Sequence, residues 1–100
     1  MKPIRFQRNA RREYDKAIAR YENERPGLGL DFQEEVKAAI ARIRKNPQLG
    51  SRFLDTEYRY YVVHRFPYVI YYEDAEGYLG IMAVAHSARR PRYWSRRKWD

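Results

Sequence analysis

Apolar residues recur with a helical period in the first half of the chain and with a strand-like texture in the second. Ile4 and Phe6 flank Arg5, the short alternation of an edge strand. Asn9 is a capping residue type, and from there to about Arg25 the residues Tyr14, Ala17, Ile18 and Tyr21 fall on one helical face. Arg11, Arg12, Glu13, Asp15, Lys16 and Glu22 occupy the other faces, and Pro26-Gly27 ends this amphipathic helix. A second helix begins between Leu28 and Asp31, where Asp31 and Glu34 have the spacing of a capping box. Phe32, Val36, Ala39, Ile40 and Ile43 form its apolar stripe, and Asn46-Pro47 and Gly50 stop it. The connection between the helices is short, which predicts an antiparallel helical hairpin.

From Glu57 onward the residue types favour strands. Tyr58 to His64 is one strand, Arg65-Phe66-Pro67 turns the chain, and Tyr68 to Glu73 is the next. Asp74 to Gly77 makes a tight turn into a third strand, Tyr78 to Ala85. Three strands with short connections form an antiparallel meander. Neither the hairpin nor the sheet can bury its apolar side alone, so the helices cover one sheet face. The expectation is an α+β fold, an N-terminal helical hairpin packed on a small antiparallel β-sheet, in a single domain over residues 1–100.

Composition narrows the function. The net charge is +8, from 21 Lys+Arg against 13 Asp+Glu, which favours an acidic partner, either a nucleic acid or an acidic protein surface. There is no cysteine, so disulfides, thiolate nucleophiles and thiolate metal sites are excluded. His64 and His86 are the two histidines, too few for a zinc site without carboxylate help. No metal or cofactor is expected. The longest apolar run is too short to cross a membrane and the first residues do not resemble a signal peptide, so the expectation is a soluble, cytoplasmic protein.

Few residues invite classical catalysis. The glycines are scattered, with no phosphate-cradling loop, and Ser51, Ser87 and Ser95 sit in no nucleophile elbow. Glu34, Glu35, Glu73, Asp74 and Glu76 read as surface and turn residues. His86 follows an apolar strand, where it can serve as a general base or, without a nearby acid in sequence, fix the strand end by hydrogen bonding. A metal-independent ribonuclease surrounds the scissile phosphate with arginines and a proton-moving Tyr or His. Arg65, His86, Arg89, Arg90 and Tyr93 are the residues that can supply those groups. The tail interleaves Arg89, Arg90, Arg92, Arg96, Arg97 and Lys98 with Tyr93, Trp94 and Trp99. It is either a solvated end whose rings fold back on the body, or a contact surface made by Arg89, Arg90, Arg92, Tyr93 and Trp94.

Four segments taken in order resemble the RelE/ParE toxin superfamily of type II toxin–antitoxin systems. They are Tyr21-Glu-x-x-x-Pro26-Gly-Leu-Gly29 with Phe32-x-x-Glu35-Val36, then Ile43-x-x-x-Pro47-x-x-Gly50. Arg65-Phe-Pro-Tyr-Val-Ile-Tyr-Tyr72 and Ala83-Val-Ala-His86-x-x-Arg89-x-Pro91-x-Tyr93-Trp94 complete the set. The resemblance implies the same hairpin-on-sheet fold, a cognate acidic antitoxin as partner, and one of two activities. RelE-like members cleave messenger RNA on the ribosome; ParE-like members poison DNA gyrase. The RelE pattern places its phosphate-binding arginines at Val69 and near Ser87 and its strand lysines near Tyr60 and Val62, and Tyr93 alone matches a RelE catalytic residue. Loss of those cations costs several kcal/mol of charge stabilisation per site, on the order of other oxyanion-type effects. The resemblance therefore implies the ParE-like branch, with a ribosome-dependent endoribonuclease or a non-toxic relative as alternatives.

Overall fold

The computed structural model describes residues 1–99. Helix α1, Arg8–Glu24, turns Ala10, Tyr14, Ala17 and Tyr21 inward. Its cap is Gln7 rather than Asn9: the Gln7 side chain accepts hydrogen bonds from the backbone N–H of Asn9 (2.7 Å) and Ala10 (3.1 Å). The longer side chain also donates its amide to the Lys98 carbonyl (3.1 Å), so this buried residue is satisfied at both ends. Asn9 lies inside the first turn.

Helix α2, Leu28–Lys45, follows a three-residue connection and opens at Gly27, whose φ of +89° suits glycine. The expected Asp31 capping box is absent. Glu22 of α1 caps α2 instead, accepting from the N–H of Gly27 (2.9 Å) and Gly29 (3.0 Å). A Cβ at Gly29 would stand 2.6 Å from the Ile18 carbonyl oxygen, so the two helices approach to backbone contact there. Phe32, Val36, Ala39 and Ile43 are buried, and Ile40 packs at the margin of the same cluster.

The strands are β1 (Ile4–Phe6), β2 (Ser51–Arg52), β3 (Tyr58–Val62), β4 (Tyr68–Ala75) and β5 (Tyr78–His86), in the spatial order β1-β5-β4-β3-β2. The β3-β4-β5 meander is antiparallel. β3 ends at Val62, short of His64, because Arg65 takes a positive φ of 71° in the tight turn to β4. Two features went unread in the sequence. β1 pairs parallel with β5, and Ser51–Arg52 adds a two-residue outer strand. Between Tyr71 and Tyr72 of β4 the partner residues jump from Ala83 to Ile81, leaving Met82 as a bulge.

Each face of the sheet has its own core. On one side the helical hairpin covers Val63, Phe66, Tyr68, Ile70, Tyr72, Leu79, Ile81 and Val84. On the other, the chain after β5 folds back and seats Trp94 on Phe53, Tyr71, Met82, Ala83 and Ala85. No described helix is long and apolar enough to cross a membrane.

Candidate functional site

The bulge at Met82 governs the site. β1 covers the outer edge of β5 only as far as Ile81, whose carbonyl accepts from the Gln7 N–H at 2.9 Å. Beyond the bulge the edge presents the Met82 C=O and the Val84 N–H, and two side chains take the place of a strand. Glu13 of α1 accepts from Val84 N–H (3.1 Å), while Arg97 from the tail donates to the Met82 carbonyl (3.1 Å). The two also meet each other: Arg97 Nη1 reaches Glu13 Oε1 at 2.9 Å and Nη2 reaches Oε2 at 2.7 Å, a two-pronged pair. Tyr93 donates its hydroxyl to the same Glu13 Oε2 at 2.5 Å.

Glu13 thus pins tail, helix and sheet together. Burial, followed by the hydrogen bond and charge of Glu13, pushes the Tyr93 phenol well above its usual value. For Arg97, burial opposes the charged form but the Glu13 hydrogen bond and charge outweigh it, so its affinity for the proton rises. The guanidinium groups of Arg89 and Arg97 lie over the Tyr93 ring, 3.8 and 4.9 Å from its centre.

Beside this junction a cleft of about 370 Å³ brings together His86, Arg89 and Tyr93 with Lys16 and Arg20 of α1 and Tyr68 of β4. Arg20 donates to the Tyr68 hydroxyl at 2.8 Å; burial raises the Tyr68 pKa while Arg20 opposes the rise. His86 stacks edge-on against Tyr68, and its Nδ1 accepts from the Ala88 N–H at 3.0 Å. An Nδ1 acceptor places the ring proton on Nε2 in the neutral imidazole, so the histidine stands as a donor. Tyr93, for its part, gives its proton to a carboxylate. Neither group is set as a base. Glu13 also lines the cleft, its charge answered by Arg97, while Lys16, Arg20 and Arg89 give the cleft a cationic excess.

The other expected site residues lie elsewhere. Arg65 faces α2, 3.7 Å from both Asp31 and Glu35, and does not line the His86 cleft. Arg90 and Arg92 are exposed on the turns after β5. Trp94, expected on a contact surface, is 0% exposed: its indole packs on Phe53, Tyr58 and Tyr71, so it is a core residue. Tyr93, expected on the same contact surface, is instead held by Glu13. The sequence reading missed Glu13, placing it among the solvated residues of α1. Its position three residues after Ala10 and four before Ala17, both buried, was the available signal.

A second concavity, about 620 Å³, opens on the tail-covered face of the sheet. It gathers Tyr60, Val62 and Val69, at or near which the RelE resemblance places cations, beside Phe53, Leu54 and Tyr71. Arg52 and Arg92 supply its charge. Val62 is 61% and Leu54 54% exposed, so the groove offers an apolar surface to solvent. Among the described residues no group of three or more His, Asp or Glu is placed to hold a metal ion.

The fold resembles a solved chain titled as the chromosomal ParDE toxin–antitoxin system from P. aeruginosa. The TM-score is 0.74 at 15% sequence identity, covering 86% of this chain and 96% of that one. No curated protein matches by sequence. Residues 4–91 match the family described as the ParE toxin of type II toxin-antitoxin system, parDE. Spanning most of the chain from β1 through the meander and into the tail, that match places the protein in the ParE toxin family of type II toxin–antitoxin systems.

Proposed function

We propose that the protein is the toxin of a two-protein module, acts in the cytoplasm by poisoning DNA gyrase, and is neutralised by a cognate acidic antitoxin. The observation that carries this reading is the groove at Tyr60, Val62 and Val69. A ribonuclease working on a phosphodiester needs cations where charge develops, and here those three positions are aromatic and aliphatic, with Arg52 and Arg92 the cations elsewhere in the groove. The His86 cleft does not substitute, since its histidine and tyrosine are both placed as donors.

The antitoxin partner is supported by the charge of +8 and by the exposed apolar groove. An acidic, partly disordered segment that orders on binding would bury the groove and answer the arginines around it. Target contact is assigned to Arg89, Arg90 and Arg92, which follow β5 and are exposed. Controlled expression without antitoxin tests the reading. Filamentous cells with an induced DNA-damage response and intact messages are expected; prompt cleavage of ribosome-bound messages with undamaged DNA would overturn it.

A further inference from the structure

A further concavity, of about 520 Å³, adjoins the His86 cleft and shares Arg89 and Tyr93 with it. Its cations are Arg8 at the start of α1 and Arg89, Arg96, Arg97 and Lys98 of the tail. Among the described residues no carboxylate lines it. Glu13 pairs with Arg97, whereas among the described residues no carboxylate pairs with Arg89, Arg96 or Lys98. The cluster is held in place by its backbone. The buried Gln7 side chain ties the Lys98 carbonyl to the first turn of α1, and Arg97 is fixed by Glu13 and the Met82 carbonyl. α1 also opens with no acidic residue in its first turn, so the positive end of the helix dipole adds to the same field.

We propose that this basin is a docking site for the phosphate backbone of duplex DNA. Three features select that ligand. An acidic protein partner would need an apolar anchor, and the one ring in the basin, Tyr93, is overlaid by Arg89 and Arg97. A single strand would need an open stacking platform, which the same covered ring does not give. Closely spaced guanidinium and ammonium groups on a concave surface match consecutive phosphates, with nothing arranged to read base edges. Binding is therefore independent of sequence and strongly dependent on salt. Arg89 is shared with the target contact proposed above, whereas Arg96 and Lys98 are not, so variants at those two positions test this site apart from the gyrase reading.

The test is fluorescence anisotropy of the purified, folded chain with labelled duplexes of unrelated sequence across a salt series. Arg89, Arg96 and Lys98 at the backbone predict a slope of log affinity against log salt of about −2.7, or roughly 40-fold weaker binding from about 50 to about 200 mM salt. Arg96→Gln with Lys98→Gln removes exposed side chains and should reduce the slope by about two with an unchanged melting temperature. The control Arg42→Gln with Lys45→Gln removes the same charge from the exposed end of α2 and should leave the slope unchanged. Equal weakening by both pairs would reduce the effect to net charge and overturn the site. Inorganic tripolyphosphate that competes as well as duplex at matched phosphate concentration would overturn the DNA assignment in favour of a small polyanion.

Discussion

Glu13→Ala is the most informative single substitution, because this α1 carboxylate serves four donors from β5 and the tail. The side chains of Glu13 and Arg97 retain 18% and 14% of their exposure. Removing one partner of a buried ion pair costs about 3–5 kcal/mol, and this residual exposure places the present pair near 3. The Val84 N–H and the Tyr93 hydroxyl also lose their acceptor, adding about 1 kcal/mol if water only partly replaces it. The expected total is about 3–4 kcal/mol, a large share of the roughly 5–15 kcal/mol that holds a small domain folded. At about 4–8 °C per kcal/mol for a domain of this size, the melting temperature should fall by about 12–30 °C. Urea denaturation measures the same quantity without heat. A double-mutant cycle with Arg97→Met should return a coupling of about 1–3 kcal/mol, since the second change removes the stranded cation. A loss below about 1 kcal/mol for Glu13→Ala, or additive costs in the cycle, would refute the assignment of Glu13 as the junction of tail, helix and sheet.

Phe66→Ala and Trp94→Ala should each cost about 3–5 kcal/mol by chemical denaturation, since Phe66 meets Tyr21 and Phe32 edge-on and Trp94 fills the second core. Trp94→Phe should cost markedly less, because among the described residues the indole N–H has no hydrogen-bond partner to lose. Stability should fall as pH rises above about 10, where an unfolded tyrosine ionises while burial keeps the folded phenols protonated. Below that pH the contribution is fully present, and Tyr93→Phe should flatten the alkaline loss measured in pH-jump denaturation. Arg89→Ala with Arg90→Ala should leave the melting temperature nearly unchanged yet restore colony formation on toxin expression; growth arrest by the folded double variant would place the toxic surface elsewhere.

The helical hairpin was legible because its apolar residues repeat at one period and its stops are strong. Pro26-Gly27 and Asn46-Pro47 leave little freedom in where the helices end. The meander was legible for similar reasons, with Gly77 at a φ of +89° marking the turn between β4 and β5. What escaped depended on contacts distant in sequence. The parallel pairing of β1 with β5 joins residues some seventy positions apart, as Ile4 with Leu79. Glu22 caps α2 from the preceding helix, which no local spacing could distinguish from Asp31 capping its own helix.

The same limit governed the site. Arg89, His86 and Tyr93 fall together because they follow one strand, and the sequence places them together. The roles of Tyr93 and Arg97 depend on Glu13 and on the edge that β1 leaves uncovered beyond a one-residue bulge at Met82. A tail rich in arginine and aromatics has two readings in one dimension. In three dimensions both occur: Trp94 and Tyr93 fold back on the body, while Arg89, Arg90, Arg92 and Arg96 remain exposed.

Purified toxin incubated with DNA gyrase, supercoiled plasmid and ATP tests the central claim most directly. The account predicts accumulation of linear, gyrase-linked DNA after denaturant quench, abolished by prior addition of the antitoxin and reduced by Arg89→Ala with Arg90→Ala. Unchanged supercoiling with no trapped cleavage, together with cleavage of messenger RNA on purified ribosomes by the same preparation, would contradict it.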